Sequence, residues 1–247
     1  MAAAAPAAAT SPQVVAIVAA VRDELAPTIS RLQLVPDQPW FVGQMACRRL
    51  VAAVTGVGRE RAVEVVNTLL EEHHPGRIIH VGFAGGLDPS LRAGTVLNVR
   101  WVIDGRGAAY SVNNDVPQAT RDIPERPQGA CLLTADQLVH AVADKQALYA
   151  RHRATAVDME TFHVARLAHQ RGLHLTMLRA ISDAATMAIP REAAGWVKPD
   201  GSENVGAAIL HLLTRPWKIP MTVRLGRNAH LAGENLAKAV EGMLREM

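Results

Sequence analysis

The sequence predicts an α/β protein, because short apolar runs of strand type alternate with stretches of helical periodicity along its length. Apolar residues make up 49% of the 247, which allows a sizeable buried core, and the length suits one large domain. No apolar run reaches the ~18 residues of a membrane-spanning helix, because a polar side chain interrupts every candidate.

The first elements follow one another closely. Residues 14–20 (VVAIVAA) are apolar and rich in β-branched types, which predicts a strand buried on both faces of a parallel or mixed sheet. A charged patch at 22–24 (RDE) follows this run. Residues 49–55 predict another strand, closed by the glycines of 56–58. A helix is predicted over 59–73, where apolar residues recur at helical spacing.

The middle of the chain contains glycine-rich and polar segments. The sequence predicts a strand at 77–81, a glycine-rich turn at 83–86 (FAGG) and a long strand at 95–103. Residues 104–130 are polar and contain three prolines, which predicts a long loop. Loops of this length in compact domains are usually functional, so we expect this one to serve a binding site.

The remaining elements continue the alternation. Strands are predicted over 131–134, 156–159 and 175–181, and helices over 136–150, 160–171, 203–213 and 220–246. Because no repeat or linker interrupts the pattern, we expect residues 13–247 to form a single domain with a basic helical tail. The Ala/Pro-rich residues 1–12 lack the basic start of a secretory signal and are predicted to be a disordered leader.

Charge and cysteine content exclude several classes of function. The net charge of +3 is too small to indicate nucleic-acid binding. The chain has two cysteines, Cys47 and Cys131, which rules out a disulfide framework and suits a reducing cytoplasm. The histidines show no spacing typical of metal ligands, so we expect neither a metal nor another cofactor.

Three polar clusters follow predicted strands, where ligands bind in open α/β sheets. They are Glu24, the segment 158–160 (DME), and Ser182-Asp183. Each cluster alone is more often a helix cap or a solvated turn. The glycines of 82–86 lack the full dinucleotide fingerprint and the lysine of a P-loop, so a tight turn also explains them.

The order of five segments resembles methylthioadenosine/S-adenosylhomocysteine nucleosidases. The segments are IVAAVRDEL, TGVGRERA, VGFAGGLDPSLRAGTVL, AVDMETFHVARLA and LRAISDAA, within residues 14–187. The chain is thereby identified as a member of the purine nucleoside phosphorylase/uridine phosphorylase superfamily, on its nucleosidase side. The resemblance implies a three-layer α/β/α nucleoside phosphorylase-like fold with a mixed central sheet, and a homodimer.

The resemblance also implies a role for each carboxylate. Asp183 matches the general acid that works at the purine N7, and Glu160 matches the residue that grips the ribose hydroxyls and favours a cationic sugar. Glu24 matches the carboxylate that positions and activates the attacking water. The substrate contacts that the resemblance implies are Met159, Ala84, Gly85, Phe83, Leu138, Ser182 and Arg179.

Three positions depart from the family pattern. Phe83 stands where the nucleosidases carry a hydroxyl residue, Leu138 where they often place an aromatic against adenine, and Arg22 replaces an acidic residue. A phosphorylase needs donors for phosphate, and Arg22 or Arg179 is available, but Glu24 would repel that anion. Water is therefore the expected nucleophile. Arg179 is alternatively a strand-end residue paired with a neighbouring acid.

The C-terminal stretch PDGSENVGAAILHLLTRPWKIPMTVRLGRNAH resembles the hopanoid-associated phosphorylase-like proteins, a bacterial branch linked to removal of adenine from an adenosylated hopanoid lipid. Within it, residues 215–227 combine cations with apolar residues, a pattern typical of peripheral contact with an anionic membrane. The same pattern fits a helix packed on the domain with solvated Arg and Lys on its outer face.

The sequence therefore favours a cytoplasmic enzyme that hydrolyses the N-glycosidic bond of an adenosyl nucleoside and releases adenine. Three alternatives stay open: a phosphate-dependent purine nucleoside phosphorylase, removal of adenine from an adenosylated hopanoid, and a nucleoside-binding protein without activity. Retention of Glu24, Glu160 and Asp183 together argues against the last of these. The 5′ substituent of the nucleoside is left open.

Overall fold

The computed structural model describes residues 13–112, 115–120, 129–195, 200 and 219–247. Its strands are β1 (Gln13–Ala19), β2 (Val35–Asp37), β3 (Trp40–Met45), β4 (Arg48–Val54), β5 (Arg77–Gly86), β6 (Val96–Ile103), β7 (Ala109–Ser111), β8 (Gln118–Thr120), β9 (Ala130–Thr134), β10 (Ala156–Asp158) and β11 (His174–Asp183). Its helices are α1 (Arg22–Arg31), α2 (Arg59–His73), α3 (Val142–His152), α4 (Thr161–Arg171) and α5 (Ile219–Glu246), and Arg191–Gly195 form a 3₁₀ helix. Within these residues, no helix is long and apolar enough to cross a membrane.

The strands form one mixed sheet in the order β2-β3-β4-β1-β5-β10-β9-β6-β7-β8, and β11 pairs with both β5 and β6. Strand β1 runs parallel to β4 and β5, whereas β2, β3 and β4 form an antiparallel meander. The pairings of β5 with β10, β10 with β9, β9 with β6, β6 with β11 and β11 with β5 close a circuit of five strands. This circuit sets Val157 of β10 beside Gly85 near the end of β5.

Strand β1 is buried on both faces, which explains its unbroken apolar run. Val18 belongs to the apolar cluster that contains Val66 of α2, and its neighbour Ile17 belongs to the cluster that contains Leu25 of α1 and Leu236 of α5. Helices α2 and α4 thus cover one face of the sheet, and α1 and α5 cover the other. This arrangement confirms the predicted three-layer α/β/α fold with a mixed central sheet.

Helix α1 packs closely on α5 because Gly233 has no side chain. A Cβ at position 233 would lie 3.1 Å from Cγ of Pro27 and 3.3 Å from the carbonyl oxygen of Asp23. Pro27 stands inside α1 and lacks the N–H that would otherwise bond to this carbonyl. Since α1 carries Glu24 in its first turn, the contact with α5 helps to fix Glu24 against the sheet.

Most of the predicted elements are confirmed. The structure has strands near the predicted 14–20, 49–55, 77–81, 95–103, 131–134, 156–159 and 175–181, and helices near 59–73, 160–171 and 220–246. Helix α1 was not predicted, because a proline and a charged patch interrupt the apolar pattern of its sequence. The short strands β2 and β3 were not predicted either. The predicted leader at 1–12 and the predicted helix at 203–213 lie outside the described residues.

Three predictions for the middle of the chain are wrong. The glycine-rich turn at 83–86 is instead the end of β5, which pairs there with β10 and β11. The loop at 104–130 contains β7 and β8, which extend the edge of the sheet. The helix predicted from 136 begins only at Val142, and residues 137–139 before it line a cavity.

Candidate active site

A cavity of about 220 Å³ lies where β1, β5, β10 and β11 end. Its lining consists of Ala20, Val21, Glu24, Val57, Phe83, Ala84, Gly85, Gln137, Leu138, Val139, Val157, Asp158, Met159, Glu160, Ser182, Asp183 and Ile189. The cavity therefore brings together Glu24, Glu160 and Asp183, and every substrate contact implied by the sequence except Arg179.

Backbone amides hold the Glu24 carboxylate in the first turn of α1. Oε2 accepts hydrogen bonds from the amides of Ala20 (2.9 Å) and Val21 (3.1 Å), and Oε1 accepts one from the amide of Phe83 (2.6 Å). Burial raises the pKa of Glu24 above its ordinary 4.5, although these hydrogen bonds and the charge of Arg179 oppose the rise. A fixed carboxylate whose proton affinity is raised is suited to act as a general base.

Glu160 stands immediately before α4 and faces the same cavity. Its Oε1 accepts a hydrogen bond of 3.1 Å from the amide of Gly58. Burial, followed by the negative charges of Asp158 and Glu24, raises the pKa of Glu160 to about 7. A positive charge that enters the cavity would therefore be strongly favoured beside this carboxyl.

Asp183 ends β11 and is held from two sides. The Ser182 hydroxyl donates to Oδ1 at 2.6 Å, and the Lys145 ammonium pairs with Oδ2. Gly85 provides the space for this carboxylate, since a Cβ at position 85 would lie 3.1 Å from Oδ2. The Asp183 side chain is thus fixed in the wall of the cavity, where it is 3% exposed.

Arg179 lies behind the cavity and does not line it. Nε donates to Asp158 at 3.0 Å, and Nη1 donates to the carbonyls of His80 (3.2 Å) and Leu178 (3.1 Å). Nη2 donates to the Thr161 hydroxyl at 2.7 Å and contacts the His80 ring at 3.1 Å. Burial, and then the charge of Arg179, lower the pKa of His80 well below 6.5, so this ring is a neutral acceptor.

The hydrogen bonds of Arg179 correct the substrate contact expected there. A guanidinium has five N–H donors, and the partners above engage all five. The pairing with Asp158 is the alternative that the sequence left open. Asp158 also accepts hydrogen bonds from Thr134 and Thr161, so its carboxylate is occupied by the protein itself.

Phe83, Leu138 and Met159 provide partly buried apolar surface in the cavity. Such side chains cover the flat faces of a small organic ligand, while a few polar groups fix its orientation. Leu138 lies between β9 and α3, so this segment serves the cavity wall rather than the helix.

A larger cleft of about 730 Å³ adjoins the cavity. The two share Val57, Gln137, Leu138, Met159 and Ile189. The surface of the larger cleft is mostly apolar. A ligand held in the cavity therefore has room for an apolar group that extends beyond it.

The described part of the cavity is acidic. Among its described lining residues there is no lysine or arginine, and Arg22 is an exposed residue at the start of α1. The residues that the structure describes also contain no group of three or more His, Cys, Asp or Glu arranged to hold a metal ion. The ionisable side chains among the described lining residues are those of Glu24, Asp158, Glu160 and Asp183.

Lys145 is a candidate functional residue that the sequence prediction missed. Its side chain is fully buried in the first turn of α3, although lysines are rarely buried. Leu148 and Tyr149, three and four residues further on, pack against an apolar cluster. Residues at these spacings share one face of a helix, so the spacing could have indicated that Lys145 needs a buried partner.

Comparison with known families gives a match over most of the chain. Residues 14–131 and 118–214 match the model of the Phosphorylase superfamily. The 5′-methylthioadenosine/S-adenosylhomocysteine nucleosidase of Marinomonas sp. is 24% identical over 227 residues, which cover 81% of this chain and 98% of that protein. The enzyme of the same name from Shewanella oneidensis is 23% identical over 225 residues, covering 80% and 95%.

Solved structures share the fold at lower identity. The 5′-methylthioadenosine/S-adenosylhomocysteine nucleosidase of Helicobacter pylori superposes with a TM-score of 0.67 and 16% identity, covering 96% of this chain and 100% of that one. The futalosine hydrolase of Helicobacter pylori also superposes with a TM-score of 0.67, at 17% identity, covering 96% and 99%. At these identities the similarity establishes the fold. It does not identify the substrate, which has to be inferred from the residues of the site.

Proposed function

This chain belongs to the Phosphorylase superfamily, and on that basis we propose that it is a purine nucleosidase that hydrolyses the N-glycosidic bond of an adenosyl nucleoside. The products are free adenine and a ribose that keeps its 5′ substituent. One observation carries the proposal: Glu24, Glu160 and Asp183 face one cavity whose described lining has no cationic side chain.

Asp183 acts as the general acid that protonates the departing purine. It delivers a proton to the purine N7 while the bond from C1′ to N9 breaks and its electron pair passes to the base. Adenine then leaves as a neutral molecule rather than as an anion. Ala84 and Gly85 border the base, and Phe83 and Leu138 cover its faces.

Glu160 stabilises the sugar that remains after the base departs. This sugar carries positive charge at the ring oxygen and C1′, whereas the bound nucleoside is neutral. The negative charge of Glu160 therefore binds the transition state more strongly than the substrate, which is what lowers the barrier. Glu160 also accepts from the ribose hydroxyls, and Met159 packs against the ribose.

Glu24 activates the attacking water. Its carboxylate takes one proton of the water, and the hydroxide that forms adds to C1′. The three amides that hold Glu24 keep its oxygens in place during this transfer. General acid–base catalysis of this kind contributes about 10²–10⁴-fold to a rate, so loss of Glu24 or Asp183 should lower kcat by that factor.

The placement of the cations supports water over phosphate as the nucleophile. Phosphate requires cationic or backbone donors that are free to bind it. The donors of Arg179 are engaged within the protein, and the described lining of the cavity holds carboxyl groups that repel an anion. A phosphate-dependent phosphorylase is therefore the less favoured alternative.

The adjoining cleft supports a nucleoside with a 5′ substituent: its mostly apolar surface suits a methylthio group, and Asp136 and Arg191 in its lining suit the charged end of a homocysteinyl group. Curated relatives carry the name 5′-methylthioadenosine/S-adenosylhomocysteine nucleosidase, which supports these two compounds as the substrate class. Removal of adenine from an adenosylated hopanoid is a second candidate, because the same cleft has a volume of about 730 Å³. We further propose that the enzyme acts in the cytoplasm as a homodimer, which light scattering after gel filtration would test.

The test is release of the free base, which is adenine from methylthioadenosine, S-adenosylhomocysteine and adenosine and hypoxanthine from futalosine, with and without phosphate. We expect adenine from the first two substrates without phosphate, and a loss of about 10²-fold or more in Asp183→Asn. Release that requires phosphate would make the protein a phosphorylase. If purified, folded protein released no base from any of these substrates, the proposal would be contradicted. The remaining alternatives would be removal of adenine from an adenosylated hopanoid and nucleoside binding without activity.

A further inference from the structure

Lys145 makes a complete set of contacts around its amine. Its side chain has 0% exposure, and its Nζ pairs with Oδ2 of Asp183. Nζ also donates to the carbonyl oxygens of Ala184 at 3.1 Å and Met187 at 2.9 Å. An ammonium carries three N–H groups, so each of them has one acceptor here.

These contacts fit two protonation states of the Lys145–Asp183 pair. When Lys145 is an ammonium, its three N–H groups meet two carbonyls and the carboxylate. When the proton lies on Asp183, the neutral amine keeps two N–H groups for the carbonyls, and its lone pair accepts from the carboxylic acid. No buried polar group loses its partner in either state, so the proton can move within the pair at little cost in hydrogen bonding.

Stability alone is a weak reason for this pair. Removing two charges from water costs several kcal/mol per ion, and well-packed apolar residues of similar volume often serve a core as well. Lys145 does not line the cavity, whereas Asp183 does. The lysine therefore reaches the carboxylate from outside the cavity lining and leaves the cavity side to a ligand.

We propose that Lys145 is the positioning residue of the general acid, and that the proton delivered to the purine is shared between the Lys145 amine and the Asp183 carboxyl. The inference rests on the proposed nucleosidase function. As C1′–N9 breaks and its electron pair passes to the base, the one proton that the pair shares passes through the Asp183 carboxyl to N7, which leaves Lys145 as a neutral amine and Asp183 as a carboxylate. The attacking water gives its proton to Glu24, and that proton returns to the pair through solvent when the products leave.

The experiment compares Lys145→Gln, Asp183→Asn and the double variant on two leaving groups. Glutamine keeps N–H donors for the carbonyls but has no proton to transfer, and Lys145→Met serves as a second variant. The first substrate is methylthioadenosine, whose adenine needs protonation. The second is a 4-nitrophenyl riboside, whose 4-nitrophenolate leaves as a stable anion without a proton. Gln146→Met, at an exposed position of the same helix, is the matched control.

We expect Lys145→Gln to lower kcat for adenine release about 10²-fold or more, with KM changed less than about threefold. Its rate on the 4-nitrophenyl riboside should stay within about threefold of the wild type, because that leaving group requires no acid. The double variant should be no slower on methylthioadenosine than Asp183→Asn, since both residues act through one proton. Gln146→Met should match the wild type on both substrates.

Three results would overturn the inference. One is a wild-type rate of adenine release in Lys145→Gln and Lys145→Met. Another is an equal loss on both leaving groups, which indicates a general structural defect. The third is a double variant slower than Asp183→Asn by the full factor of the lysine change. A folded wild-type protein inactive on every nucleoside would instead contradict the proposed function itself, and with it the role of Lys145.

Discussion

Gly82 in β5 leaves the space that the Glu24 carboxylate occupies: a Cβ at position 82 would lie 3.0 Å from Oε1 of Glu24. The same Cβ would lie 3.3 Å from the guanidinium carbon of Arg179. Both neighbours are buried and hydrogen-bonded, so neither can move away freely. The absence of a side chain at position 82 is therefore a requirement of the site, not of a turn.

Gly82→Ala should displace Glu24 and lower kcat/KM about 10-fold to 100-fold, since displacement of about 1 Å costs up to about 10² in rate. Overpacking should also lower the free energy of unfolding by about 1–3 kcal/mol. Steady-state kinetics and urea denaturation measure the two effects. Gly242→Ala is the matched control, because a Cβ at that position of α5 meets nothing within 4 Å. Wild-type kinetics in Gly82→Ala would show that the position of Glu24 does not matter to the reaction.

The pH dependence of kcat/KM should report the ionisation of Glu160. Its pKa is raised to about 7, and only its ionised form stabilises a cationic sugar. As pH falls through about 7, the carboxyl takes up a proton and the rate should fall about tenfold per pH unit. Glu160→Gln should be slower and should lack this change near neutral pH. A flat wild-type profile between pH 5 and 8, about the range in which a carboxyl of this pKa titrates, would contradict the assignment.

Glu160 should also make the protein less stable as the pH rises. Its carboxyl has a pKa of about 7 in the folded chain against an ordinary value of 4.5, so the folded state binds more protons between these values. Stability present at low pH is therefore lost as pH rises from 4.5 to about 7. At about pH 8 the free energy of unfolding of Glu160→Gln should be up to about 3 kcal/mol higher than that of the wild type. The two proteins should be similar at about pH 4.5, which urea denaturation at both pH values would measure.

The sequence drew attention to the polar clusters of Glu24, Glu160 and Asp183 because each follows or ends a strand, and the resemblance to the nucleosidases implied their roles. That signal is local, and β1, β10 and β11 do end beside one cavity. The pairing of Lys145 with Asp183 spans 38 positions and follows no local pattern. Gly82 and Gly85 were also ambiguous, because glycine serves both tight turns and places where another group approaches the backbone closely. Only the packing of side chains from α1 and β11 distinguishes the two.

Arg179→Met should destabilise the protein without changing its nucleophile. The change leaves the Asp158 carboxylate buried and without its cation, which costs about 3–5 kcal/mol. Adenine release by the protein that remains folded should stay independent of phosphate, because the donors of Arg179 face the protein interior. Thermal denaturation and assays at several phosphate concentrations measure these effects. Arg49→Met, at an exposed position, is the control. If the wild-type rate depended on phosphate and Arg179→Met lost that dependence, Arg179 would be a phosphate-binding residue after all.

The basic segment 215–227, for which the sequence left open both membrane contact and packing on the domain, is described from residue 219 onward, where it forms the start of α5. Ile219 and Val223 lie about one turn apart and are 44% and 46% exposed, and Arg224 and Arg227 are exposed beside them. The later part of α5 packs on α1 and the sheet through Leu236 and neighbouring residues. Contact with a membrane would therefore involve only the first turns of the helix.

Vesicle flotation tests this contact. We expect the protein to float with vesicles that contain phosphatidylglycerol and not with pure phosphatidylcholine, because cations beside an apolar strip bind anionic surfaces. Arg224→Glu should abolish flotation, whereas Lys238→Glu, which makes the same charge change at an exposed position in the later part of α5, should not. Equal loss in both variants would indicate that only the total charge matters. Wild-type protein that stays at the bottom of the gradient would favour the alternative in which this helix simply packs on the domain with its cations in water.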